Sequence, residues 1–168
     1  MSLARPDRRE LIRWLRTTDP AALEPLFRAA RAVTEREVGP RVYLRGLVEF
    51  SNECVKNCFY CGIRRGNLRP RRYAMTEEEI LRCARAAAAA RYGSLVLQAG
   101  ERSDPGFVAF VETVVARIRR ETGLGITLSL GEQSPATYAR WFRAGAHRYL
   151  LRIETSNPRL YARLHPRS

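Results

Sequence analysis

Apolar and polar positions change their rhythm near residue 40. Residues 7–16 and 20–37 read as two amphipathic helices. Asp19 can cap the second, with Pro20 at its first position, and Gly39-Pro40 ends it. From there short apolar runs alternate with helical stretches. Val42 to Phe50 is a β-branched and aromatic run, and Thr76 with Glu79 forms a capping box for a helix to about Arg91. Ser94 to Gln98 predicts a second strand, followed by a helix from Asp104-Pro105 to about Glu121 that Gly123 stops. Ile126 to Leu130 predicts a third strand, and Ser134-Pro135 caps a helix to about Ala144. Tyr149 to Ile153 predicts a fourth strand, and Asn157-Pro158 begins a last helix.

Nearly apolar strands, each followed by a helix, indicate a parallel sheet covered by helices. The expected fold is α/β: about four βα units forming the N-terminal half of a TIM-type barrel, since a full barrel takes about 250 residues. Residues 1–40 would be a helical extension and 41–168 the partial barrel. The expectation is therefore a truncated chain, with the partner strands supplied by a C-terminal half-barrel or by self-association.

The run Cys54-Val-Lys-Asn-Cys58-Phe-Tyr-Cys61 changes the picture from fold to chemistry. Three thiolates at this spacing can share one metal centre, one ligand short of a closed zinc site. A cubane iron–sulfur cluster held by three cysteines leaves its fourth iron open to another ligand. The only histidines, His147 and His165, stand far along the chain, and Cys83 sits alone in an alanine-rich stretch. Disulfides need an oxidising compartment, yet Met1 to Glu10 is charged and offers no signal-peptide core. No stretch approaches the roughly 18 apolar residues of a membrane span. A cytoplasmic metal protein is the expectation.

The net charge of +13 raises a nucleic-acid reading. Lys56 is the only lysine, however, and the arginines spread from Arg5 to Arg167, which suits solvated surface positions better. The densest run, Arg64 to Arg72, follows the cysteines and is read as surface, with docking of an anionic partner as the alternative.

In parallel βα folds, chemistry collects at the carboxyl ends of the strands. Strand one delivers the cysteines, strand two ends in Gln98-Ala99-Gly100-Glu101, strand three in Ser129-Leu130-Gly131-Glu132, and strand four carries Arg152 and Glu154. Gly100 lets backbone approach closely, Glu101 can accept from an ammonium, and Arg152 offers a fork for a carboxylate. Glu154, two residues on, would share a side of an extended strand with Arg152. Each also has an ordinary structural reading, as a turn glycine, a helix-start acid or a structural pair.

The cysteine spacing, with Tyr60 before the last cysteine, resembles the signature of the radical S-adenosylmethionine (SAM) family. The blocks Gly46 to Asn52, Gly62 to Asn67, Arg72 to Thr76, Val96 to Glu101, Thr127 to Glu132 and Arg148 to Thr155 resemble its [FeFe]-hydrogenase maturase branch, which also holds biotin synthase and methylornithine synthase. The resemblance implies a [4Fe–4S] cluster on Cys54, Cys58 and Cys61, with SAM on the open iron and reductive cleavage to a 5′-deoxyadenosyl radical. It further implies Tyr60 beside the adenine, Gly100 and Glu101 at the methionyl ammonium, and Gln98, Ser129, Arg152 and Glu154 lining the SAM pocket. The substrate would be a small or organometallic molecule, and hydrogenase maturation proteins would be partners. Ala99 departs from the serine expected before the Gly-Glu pair. The alternatives are a biotin synthase- or methylornithine synthase-like enzyme, of which the first would want further strand cysteines that these strands lack, and an inactive fragment.

Overall fold

The computed structural model describes residues 6–166. They divide into two compact units, one ending at Val42 and one starting at Tyr43. The first holds α1 (Arg8–Arg16) and α2 (Pro20–Glu37). Asp7 and Glu10 form a reciprocal capping box on α1, and Asp19 accepts from the Ala21 amide at 3.0 Å to start α2. Pro20 at the first helical position gives up a donor that would have had no partner.

The second unit contains β1 (Arg45–Ser51), α3 (Glu77–Ala89), β2 (Ser94–Ala99), α4 (Pro105–Thr122), β3 (Gly125–Ser129), α5 (Pro135–Ala144), β4 (Ala146–Tyr149) and α6 (Pro158–Leu164). All strands are parallel, in the order β1-β2-β3-β4. The order never reverses, which is the progression of a (β/α) barrel rather than of a doubly wound sheet. Local chemistry starts each helix. Thr76 and Glu79 cap α3 reciprocally, Asp104 accepts from the Phe107 amide at 3.0 Å, and Ser134 from that of Thr137 at 3.1 Å.

Helices α3, α4 and α5 cover one face of the sheet. Ile80, Leu81, Val111, Val115, Ile118 and Trp141 are fully buried there against Leu95, Leu97, Ile126 and Leu128. Each such side chain contributes about 1.5–3 kcal/mol of burial. The indole N–H of Trp141 donates to the Val108 carbonyl at 3.0 Å, so its polar edge is not left unpaired inside the core. The opposite face carries Leu47, Glu49, Val96, Gln98, Thr127 and Ser129 in register, a mixed surface rather than an apolar one.

Two strands differ from expectation. β1 begins at Arg45, paired with Ser94, so Val42 to Leu44 stay outside it. β4 runs from Ala146 to Tyr149, earlier than the expected Tyr149 to Ile153. Its last pair is Leu128 with Tyr149, and the Leu150 amide makes the final rung to the Leu128 carbonyl at 2.8 Å. No pairing with β3 continues beyond Leu150, although β3 itself runs to Ser129. The apolar run there imitates a strand, yet Ile153 is 78% exposed.

Candidate functional site

The three cysteines lie on a long loop between β1 and α3, and the loop is built by its own polar side chains. Asn52 accepts from the Tyr73 amide at 2.8 Å and donates to the Arg71 carbonyl at 2.8 Å. The Cys61 amide donates to the Cys58 carbonyl at 3.0 Å, and the Arg65 amide to that of Lys56 at 2.8 Å. Arg72 donates to four loop carbonyls, those of Asn52, Ile63, Arg64 and Asn67. Arg64 adds a bond to the Cys61 carbonyl at 3.1 Å. The basic run is thus split: Arg64 and Arg72 are half-buried ties, whereas Arg65, Arg69 and Arg71 are exposed.

Cys54, Cys58 and Cys61 are free and half-buried, and Cys83 is free and exposed on α3. Burial pushes the Cys58 thiol up, and the neighbouring sulfurs of Cys54 and Cys61 push it further. Among the described residues no three His, Cys, Asp or Glu groups surround a single point as one ion requires. An iron–sulfur cubane asks for a different arrangement, because each thiolate binds a different iron. Three soft donors whose charged forms repel one another are suited to such a centre.

The end of β2 is joined to this loop. The Glu101 amide donates to the Cys54 sulfur at 3.3 Å, and the Val55 amide to the Glu101 carbonyl at 3.0 Å. Gly100 makes the approach feasible: a Cβ there would stand 2.7 Å from that of Cys54 and would strike the Glu53 carbonyl. The Glu101 carboxylate already has partners. Lys56 Nζ lies 3.2 Å from it and 3.6 Å from Glu132, and the Glu132 amide donates to it at 3.0 Å. Gly131, at φ 75°, leaves the space in which the Glu101 side chain lies.

The remaining expected residues are placed less closely. Gln98 donates to the Glu49 carboxylate at 3.2 Å across β1 and β2, and Ser129 stands opposite Gln98 in register on the same face. Tyr60 shares a hydrogen bond with His165 Nε2 at 2.7 Å. Desolvation raises its phenol to about 12, with the Glu154 carboxylate contributing. Arg152 and Glu154 are exposed and lie beyond β4 rather than on it. Glu154 adopts φ 58°, so the two do not share a side of an extended strand. Arg152 instead lines a cleft of about 510 Å³ with Glu132, Thr155 and Tyr161.

Sequence reasoning missed four contributors: Lys56, Glu132, Arg72 and His165. A lone lysine inside the cysteine motif was a usable signal for the first. His165, noted in the sequence only as a histidine far from the cysteines when a zinc site was weighed, meets the cysteine loop, where the Phe59 amide bonds to the Leu164 carbonyl at 3.0 Å.

The geometry has counterparts. The chain is 45% identical over 143 residues to the [FeFe] hydrogenase maturase subunit HydE of Thermotoga maritima, covering 85% of this chain and 40% of that one. It is 33% identical over 146 residues to 3-methylornithine synthase of Methanosarcina acetivorans, covering 84% and 41%. The crystal structure of methylornithine synthase (PylB) superposes with a TM-score of 0.85 at 31% identity, over 95% of this chain and 48% of that one. The chain spans about two fifths of the length of the curated relatives it matches, and its four βα units correspond to the N-terminal half of a TIM-type barrel. The model of the radical SAM superfamily matches residues 48–168, from within β1 through the cysteine loop to α6 and beyond: the chain belongs to the radical SAM superfamily.

Proposed function

We propose that this chain is an iron–sulfur protein that binds SAM and acts, in the manner of HydE, in building the organometallic cofactor of [FeFe]-hydrogenase. The observation that carries the reading is the joint between the cysteine loop and β2, where the Glu101 amide meets the Cys54 sulfur. Cys54, Cys58 and Cys61 hold a [4Fe–4S] cluster. When bound, the cluster would supply the one electron needed for reductive cleavage of SAM to methionine and a 5′-deoxyadenosyl radical. Gly100 and Glu101 receive the methionyl ammonium, and Lys56 must share the Glu101 carboxylate with it. Arg152 serves the carboxylate from a loop that no strand ladder restrains. Tyr60 lies beside the adenine, and Gln98, Ser129 and Glu154 complete the pocket.

The similarity to HydE supports the maturase assignment, and the substrate is then a small or organometallic molecule. Among the described residues no helix is long and apolar enough to cross a membrane, and free thiols suit the reducing cytoplasm. β1 and β4 are edge strands here. Closing the site against water requires strands that pair with them, from a C-terminal half-barrel or a second copy of this chain. The similarity to 3-methylornithine synthase supports a second reading with the same cofactors and a different substrate. Hydrogenase maturation assayed with this chain alone, and with a C-terminal half-barrel co-expressed, tests the proposal. Cluster formation and SAM cleavage without maturation in either case would favour the second reading.

A further inference from the structure

The guanidinium of Arg72 is held on four sides. Its Nη1 donates to the carbonyls of Asn52 at 2.5 Å and Ile63 at 2.7 Å, and its Nη2 to those of Arg64 at 2.8 Å and Asn67 at 3.0 Å. Asn52 lies two residues before Cys54 and Ile63 two after Cys61. One rigid fork therefore ties together the two limbs of the loop that bears all three thiols. A lysine could not do the same, having three donors on a single nitrogen instead of a planar array.

All four partners are neutral. Arg85, Arg102, Arg117 and Arg140 each pair with a carboxylate. Among the described residues no Asp or Glu lies within ion-pair distance of Arg72. A half-buried cation answered only by carbonyl dipoles retains its field, which is felt most by charges close to it in partly desolvated surroundings.

We propose that Arg72 is a positioning residue for the iron–sulfur centre, tying the limbs of the cysteine loop and favouring the reduced state of the cluster through its unneutralised charge. This rests on the cluster reading of Cys54, Cys58 and Cys61. Reduction adds an electron to a centre that already carries three thiolates, and a cation fixed on the carbonyls of Asn52 and Ile63, each two residues from a cluster cysteine, stabilises the more negative state. Removing the charge lowers the midpoint potential. Keeping the charge while losing the fork loosens the loop and leaves the potential near its starting value.

The test compares wild type with Arg72→Gln, Arg72→Lys and Arg69→Gln, the last altering an exposed arginine of the same run. Two quantities are read: amide hydrogen exchange of residues 52–67 in the metal-free protein, and the cluster's midpoint potential in a dithionite titration followed by electron paramagnetic resonance. Both Arg72 variants should exchange the loop amides about tenfold faster or more, with β2 and β3 unchanged. Arg72→Gln alone should shift the potential downward. Wild-type exchange in Arg72→Gln, an unshifted potential, or an equal shift in Arg69→Gln would overturn the proposal. Should Arg72→Gln take up no iron, retained loading in Arg72→Lys together with faster exchange supports it, and unchanged exchange overturns it. A wild-type protein that takes up no iron would overturn the cluster reading, and the exchange experiment would still decide the tie.

Discussion

Glu101 and Cys54 meet through a backbone amide and a sulfur 3.3 Å apart, and this contact couples the end of β2 to the first cysteine. Gly100 is the condition for it. Gly100→Ala would place a Cβ 2.7 Å from that of Cys54 and into the Glu53 carbonyl, where backbone cannot give way cheaply. The expected result is a loss of about 1–3 kcal/mol of stability in urea unfolding, together with failure to assemble a cluster. Gly93→Ala is the control, since an added Cβ there meets nothing within 4 Å.

Anaerobic reconstitution should give a broad brown absorbance and about four irons per chain. Cys54→Ala, Cys58→Ala and Cys61→Ala should each abolish it. Cys83 is exposed on α3, and Cys83→Ala should leave iron content unchanged. Stoichiometric zinc in place of iron would sink the assignment.

SAM added to the reduced protein should alter its electron paramagnetic resonance spectrum. Glu101→Gln keeps the shape and removes the charge that an ammonium needs. Its apparent SAM affinity should fall about tenfold or more, as expected when a charge-assisted hydrogen bond becomes a neutral one. An unchanged affinity would place the ammonium elsewhere.

Asp104 caps α4, and its carboxyl is held below the usual range by the Arg102 guanidinium first and the Phe107 amide second. Asp104→Ala should cost about 1 kcal/mol at neutral pH. Because the folded-state value is depressed, this contribution is fully present above the unfolded value of about 3.9 and is lost as pH falls through the folded value. The stability gap between wild type and variant should therefore stay level from about pH 8 to pH 5 and close below about pH 4. A gap that persists in acid would mean the side chain acts by packing.

What could be read from residue order was local. Asp19-Pro20, Thr76 with Glu79, Asp104-Pro105, Ser134-Pro135 and Asn157-Pro158 each start a helix in the structure at the expected residue. Each cap closes within one turn, so no distant partner is needed to decide it. The cysteine spacing and the glycine–glutamate pair after β2 were legible for the same reason, as were the four βα units.

What the tertiary structure alone decided depends on neighbours that are remote in the chain. β4 pairs with β3 only as far as Tyr149, and Arg152 and Glu154 therefore lie beyond the strand on which their spacing put them. The Arg72 fork, hidden in an arginine-rich run, is defined by four carbonyls up to 20 residues away. Lys56 and Glu101 meet only because Gly100 lets the loop settle on β2, and Tyr60 reaches His165 across 105 positions. Residue types and short spacings determine which chemistry this chain can attempt. Backbone pairing between distant segments determines which of its charged groups stand together, since a hydrogen bond or ion pair exists only where folding has brought both partners within about 3–4 Å.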